Sequence, residues 1–171
     1  CLVNEIEHQQ GVVKWSENAA IGYCPQDSSA EFDNDLTLMD WMSQWRTPKH
    51  SDLMVRAMLG RLLFSEDDAN KKARNCSGGE KNRLLFGKLM MHDINVLIMD
   101  EPTNHMDMEA IEALNNALKE FEGTLIVVSH DREFVSSLAT RIIDIKDKEM
   151  INFQGTLDEY LASQQEALKA A

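Results

Sequence analysis

The sequence predicts an α/β fold, a parallel sheet flanked by helices and joined to a small helical part, on three observations. Val96 to Met99 is an unbroken apolar run that ends abruptly in two acids, Asp100 and Glu101, the pattern of a parallel strand buried on both faces. Asp107 to Phe121 reads as a capped amphipathic helix with Met108, Ile111, Leu114 and Leu118 on one face, and Leu125 to Val128 is a second buried-strand run. Strand, helix and strand in this order form a right-handed crossover, so the two strands are expected to be parallel and close, with coincident carboxyl ends. Open α/β sheets bind ligands at that edge.

The other elements follow in chain order. Val12 to Trp15 and Ala20 to Tyr23 read as short strands around a Ser16-Glu17-Asn18 turn. A polar, acidic loop from Asp27 to Asp35 leads into two segments of helical period, Leu36 to Trp45 and Asp52 to Phe64, and Ser65 is placed to cap a third helix. The stripe of Leu38, Met39, Met42 and Trp45 is expected in the core rather than on a partner helix. Ser77 with Glu80 three residues on has the form of a capping box, followed by Leu84, Leu85, Leu89 and Met90 at helical spacing. Gly78 and Gly79 leave the first amides unshielded, so this helix start suits an anion such as phosphate, although a simple capped helix carries the same tetrapeptide. Ile142 to Ile145 and Met150 to Phe153 suggest terminal strands, and Leu157 to Ala170 a closing helix. Internal repeats and low-complexity linkers are absent from the sequence.

The crossover brings Asp100 and Glu101 beside Ser129 and His130. This set suits the cleavage of a phosphoanhydride with a metal. One carboxylate can hold Mg²⁺, directly or through water, and the other is left to orient or deprotonate water. His130 could sense the terminal phosphate or relay charge. An acid pair or a histidine after a strand is by itself usually structural; the three pieces in this order carry the inference.

These residues resemble the ATP-binding cassette ATPases. Ser77-Gly78-Gly79-Glu80-Lys81 is similar to the signature motif, and Val96 to His105, reading VLIMDEPTNH, to the Walker B strand with its following glutamate. Met106-Asp107 is similar to the D-loop, Ser129-His130-Asp131 to the switch-histidine segment, and Ile21 to Asp27 to the Q-loop. Within that superfamily DEPTNHMD followed by SHDREF resembles the ABC-F proteins, soluble factors with two tandem cassettes that act on ribosomes, and most closely the second cassette of their YbiT branch. The resemblance runs from about Gly11 to Tyr160.

Two departures stand out. No G-x-x-x-x-G-K-[ST] occurs, and the only Gly-Lys pair, Gly87-Lys88, has no Gly-rich loop before it. In the family the phosphate cradle lies just upstream of Cys1, with the adenine-stacking aromatic further upstream. Cys1-Leu2-Val3 is therefore expected to be the tail of the P-loop helix, and the chain to be a cassette lacking its first strands and P-loop, prone to aggregate alone. Cys76 stands where the family usually has Leu. The expected organisation is one partial domain: a helical part over 27–92 carrying the signature, a core part over 93–160, and a helix end over 161–171.

Composition sets further limits. A chain of 171 residues with 43% hydrophobic content suffices for one domain, not for a tandem pair. There is no apolar run of spanning length and no signal peptide, so a membrane is not expected. Three cysteines fit a reducing cytosol. A net charge of −12 argues against broad binding to nucleic acid, with a local exception in Lys71, Lys72, Arg74, Lys81 and Arg83, where a solvated helix surface is the competing reading.

The resemblance implies a P-loop-type ATPase core in a cytoplasmic translation factor, with ATP and Mg²⁺ as cofactors. Two cassettes sandwich two ATP molecules in this family. The chain would supply Gln26, Asp100, Glu101 and His130 to one site, with Asp100 and Gln26 on the metal, Glu101 activating water and His130 assisting. Ser77, Gly78, Gly79 and Glu80 would serve the other site, and Asp107 would couple the two. The expected partners are the second cassette and the ribosome with its rRNA and tRNA. Three alternatives stay open: a transporter ATPase subunit, a chromosome-maintenance ATPase, disfavoured because no long coiled coil precedes the signature, and a regulatory module without ATPase activity.

Overall fold

The core strand is β2 (Val96–Asp100), buried along Val96 to Met99 and half-buried at Asp100. It lies between β1 (Ile21–Cys24) and β3 (Thr124–Val128), and both pairings are parallel. A computed structural model describes residues 2–3, 6–146 and 149–170. Asn95 aligns the amino ends of all three strands: its side chain accepts from Ala20 N–H and donates to Asn18 C=O, while its backbone carbonyl accepts from Thr124 N–H. The registers Cys24↔Met99 and Asp100↔Val128 then bring the carboxyl ends to one edge.

Ahead of β2 lies the helical part, made of α1 (Leu38–Ser43), α2 (Asp52–Arg61) and α3 (Gly78–Met90). Thr37, Ser51 and Ser77 cap these three helices, each accepting a hydrogen bond from a first-turn amide. Leu38, Trp41 and Met42 of α1 are fully buried, and Trp41 stacks on Phe32 with ring centroids 4.8 Å apart. Met39 and Trp45 pack partly buried against the same core, so the Met/Trp stripe is core. Leu84, Leu85 and Leu89 of α3 and Leu97 and Met99 of β2 belong to one continuous apolar cluster, which binds helical part and sheet together.

The crossover helix α4 (Met108–Lys119) is capped by Asp107, and α5 (Arg132–Leu138) by Asp131. An antiparallel hairpin of β4 (Arg141–Lys146) and β5 (Glu149–Gln154) follows, then α6 (Leu157–Ala170). None of the described helices is long and apolar enough to cross a membrane.

Several expectations are corrected. Val12 to Trp15 is not a strand: Val12 is largely exposed, and the Trp15 indole N–H instead donates to Leu2 C=O at 3.1 Å. Cys1, expected at a helix tail, lies outside the described residues, and Leu2 and Val3 form a turn. The helix expected after Ser65 is only a 3₁₀ turn, Asp68–Asn70: Ser65 Oγ accepts from Asp68 N–H at 3.2 Å, and the chain then extends into a bridge between Lys72 and Thr37. Met108 faces solvent beside the Asp107 cap, and the buried face of α4 is Ala110, Leu114 and Leu118. β3 is not buried on both faces, since it lies at the edge of the described sheet and Val128 is 56% exposed.

Candidate active site

Three loops leave the sheet at the shared carboxyl edge: Pro25-Gln26 after β1, Glu101 after β2, and Ser129-His130 after β3. The sequence-predicted residues Gln26, Asp100, Glu101 and His130 therefore lie at one edge because the strands are parallel and in register. Gln26 is exposed and Asp100 half-buried.

Glu101 is the best-defined of them. Its φ is +49°, in the left-handed region, which for a residue with a side chain costs on the order of 1–3 kcal/mol and persists only where the surroundings enforce it. The enforcement is visible. Glu101 N–H donates to Val128 C=O at 2.8 Å, and Glu101 C=O accepts from Asn104 N–H at 3.2 Å, closing a tight turn over Pro102 and Thr103. Thr103 is the buried polar residue of this turn, and His105, also left-handed at +63°, lies beyond it.

The Glu101 side chain is only 11% exposed, whereas that of His130 is 98% exposed. One carboxylate oxygen, Oε2, accepts from His130 N–H at 3.4 Å. The other, Oε1, lies 3.6 Å from His130 Nε2, and among the described residues it has no hydrogen-bond partner. A buried carboxylate oxygen left unpartnered is costly, on the order of 1–3 kcal/mol or more, so this oxygen is suited to receive a water or another donor brought in with a ligand. Asp100 beside it supplies a hard oxygen donor of the kind Mg²⁺ takes alongside substrate phosphates. The donor set fits a Mg²⁺-bound nucleotide at its metal and water side. No Gly-rich loop in the sequence supplies a phosphate cradle.

The helix start of α3 forms the expected capping box: Ser77 Oγ accepts from Glu80 N–H at 3.2 Å and Glu80 Oε2 accepts from Ser77 N–H at 2.7 Å. Glu80 also accepts two hydrogen bonds from the Lys71 ammonium at 2.8 and 2.7 Å. Burial pushes the Glu80 carboxyl up, but the Lys71 and Ser77 hydrogen bonds outweigh it and hold the group below its ordinary range; the Glu80 hydrogen bond raises Lys71. The Glu80 carboxylate is thus engaged within the chain. Gly78 is exposed, as an anion site requires, but Gly79 is buried, and a Cβ on it would lie 2.6 Å from His105 C=O. The expectation that both glycines merely bare their amides is corrected: Gly79 is also the contact at which α3 packs on the loop after Glu101. Asp107 is exposed, and its carboxylate accepts from Ala110 N–H at 2.8 Å as the cap of α4.

The basic cluster is not a free cationic surface. Lys71 is paired with Glu80, Arg74 with Asp35 at 2.9 Å, and Lys72 donates to Asp35 C=O at 2.5 Å. Lys81 lies over the Phe32 ring and Arg83 over the Phe64 ring. Sequence reasoning missed Asn82, whose Nδ2 donates to Asn104 C=O at 3.1 Å and, at 3.5 Å, to Pro102 C=O. The available signal was its position one turn after Gly79, on the same helix face.

The sequence and the fold are similar to those of known proteins. A profile of the family described as "ABC transporter" matches residues 2–104. The chain is 60% identical over 162 residues to "Probable ATP-binding protein YbiT" of Escherichia coli O157:H7, covering 95% of this chain and 31% of that protein. It is 42% identical over 112 residues to "Energy-dependent translational throttle protein EttA" of Escherichia coli O6:H1, covering 65% of this chain and 20% of that protein. The chain thus spans less than a third of the length of these relatives. Among solved structures, the archaeal ribosome recycling factor aABCE1, in complex with the ribosomal stalk protein aP1, superimposes with a TM-score of 0.72 at 23% identity, over 92% of this chain and 32% of that one. At that identity the likeness shows a shared fold.

Proposed function

Because the chain belongs to the ABC transporter family of ATP-binding cassettes, and within it to the ABC-F branch, we propose that it is part of an ATP-hydrolysing cassette of a ribosome-associated translation factor working in the cytoplasm. The observation that carries the hydrolytic assignment is Glu101: a nearly buried carboxylate, held on a left-handed backbone at the shared sheet edge, with one oxygen unpartnered 3.6 Å from His130.

In this reading Glu101 takes the proton of the attacking water on its unpartnered Oε1. His130, exposed on the loop after β3, is free to approach the terminal phosphate and orient it. Asp100 and Gln26 would hold Mg²⁺, which would supply neutralisation of the charge developing on the phosphates. Ser77 and Gly78, at the exposed start of α3, present hydroxyl and amide to the phosphate of the second site, with Gly79 and Glu80 shaping that turn. Asp107 couples the sites from the start of α4. The helical part over 27–92 carries the signature and the part over 93–160 the hydrolytic edge. Without a Gly-rich phosphate cradle, this segment by itself is expected to bind ATP weakly and not to turn it over.

The ribosome, with its rRNA and tRNA, and a second cassette are the proposed partners. The ABC-F resemblance and the similarity to the energy-dependent translational throttle protein EttA support them. The test uses the full-length protein. Glu101→Gln, with the matching change in the other cassette, is expected to co-sediment with ribosomes in ATP and to inhibit translation, whereas Ser77→Arg, which blocks the signature against its phosphate, prevents closure and releases it. An ATP-trapped variant that ignores ribosomes and associates with a membrane complex would overturn the translation-factor assignment in favour of a transporter subunit.

A further inference from the structure

We propose that Asn82, on α3, is a positioning residue for Glu101, holding from the signature helix the turn that sets the carboxylate; the inference rests on the hydrolytic role of Glu101 proposed above. The Asn82 side chain faces two backbone carbonyls, those of Asn104 at 3.1 Å and Pro102 at 3.5 Å. Carbonyls only accept, so the amide must present its NH₂ to the loop, and that orientation follows from the partners. The two carbonyls flank buried Thr103 and lie within the turn closed by Asn104 N–H on Glu101 C=O. Asn82 therefore grips the far side of the same turn whose near side is the left-handed Glu101.

A second contact makes the grip rigid. Gly79, one helical turn earlier on the same face, brings the α3 backbone against His105 C=O so closely that no Cβ fits. The loop from Glu101 to Met106 carries two residues at positive φ, Glu101 and His105, and such conformations persist only where neighbours over-determine them. α3 supplies neighbours at both places, Asn82 at carbonyls 102 and 104 and Gly79 at 105. Ser77 at the start of α3 is thereby joined to Glu101 by a short path of one and a half helical turns and one tight turn.

A double-mutant cycle in the full-length protein tests this, reading kcat, KM and binding of a fluorescent ATP analogue for wild type, Asn82→Ala, Asn82→Gln, Glu101→Gln and Asn82→Ala with Glu101→Gln. The expected result is a kcat lowered roughly tenfold or more by Asn82→Ala, since small misplacements of a catalytic group cost up to about 10²-fold. ATP affinity is unchanged in the Glu101→Gln background, the residual rate of Glu101→Gln falls no further when Asn82→Ala is added, and Asn82→Gln, which keeps the NH₂, recovers part of the rate. An Asn82→Ala protein with wild-type kcat, a loss that multiplies with that of Glu101→Gln, or a fall in ATP affinity matching the fall in kcat overturns the proposal alone. A wild-type protein without ATPase activity, or a Glu101→Gln variant that hydrolyses normally, overturns the parent reading and this proposal with it.

Discussion

Glu101 combines a backbone held at φ +49° with a carboxylate whose Oε1 is buried and unpartnered, two costs at one residue directly after the central strand. Glycine tolerates positive φ and alanine does not, so the two replacements separate backbone strain from the lost side chain. Glu101→Gly should be more stable than Glu101→Ala by about 1 kcal/mol in chemical denaturation, and equal stabilities would show that the backbone is unstrained there. Lys71 and Glu80 give a residue-scale prediction in pH. The folded-state value of Glu80 is depressed, so its contribution is complete above the ordinary glutamate value of about 4.3 and is lost as pH falls through the lower folded value. Lys71 is raised, so its contribution is complete below the ordinary lysine value of about 10.4 and is lost as pH rises through the higher folded value. Melting curves of wild type and Lys71→Met should therefore differ most near neutral pH and converge towards pH 3; a difference that persists in strong acid would contradict the pairing.

At the scale of elements, α3 and the loop from Glu101 to Met106 are one packed unit. Gly79→Ala would place a Cβ 2.6 Å from a backbone carbonyl that cannot swing away, and overpacking of this kind costs about 1–3 kcal/mol. The loss should appear in denaturant midpoints, and Gly60→Ala in α2, where a Cβ meets nothing within 4 Å, is the control expected to leave stability unchanged or higher. Element by element, what was legible in the sequence was what local rules decide. The capping box of α3, the buried β2 and the crossover through α4 all follow from period and cap chemistry, and each is present. What was not legible depends on neighbours. Val12 to Trp15 has strand-forming residues but forms no strand, and Val128 has the apolarity of an interior strand yet lies on the outer strand of the described sheet. Gly79 looked like an exposed amide because a glycine next to a cap carries no mark of the loop that packs on it.

For the whole molecule, function follows from parallel register: three strands with matched ends set Gln26, Asp100, Glu101 and His130 at one edge, and a single apolar cluster fixes the signature helix against it. For Asp100, Glu101 and His130 that convergence was readable from strand, helix and strand order, whereas Gln26 came from the family resemblance and the Asn82 tether was not readable, because a polar residue on a helix face does not say which carbonyl it meets. The central claim is that Glu101 activates water for ATP cleavage at this edge. It is tested most directly by single-turnover release of the terminal phosphate from ATP pre-bound to the full-length protein, comparing wild type with Glu101→Gln paired with the matching change in the other cassette. Cleavage is predicted to slow by about 10²–10⁴-fold while the amount of bound ATP is unchanged, the loss typical of a general base. A paired variant that releases phosphate at the wild-type rate would contradict the assignment and remove Glu101 from the mechanism.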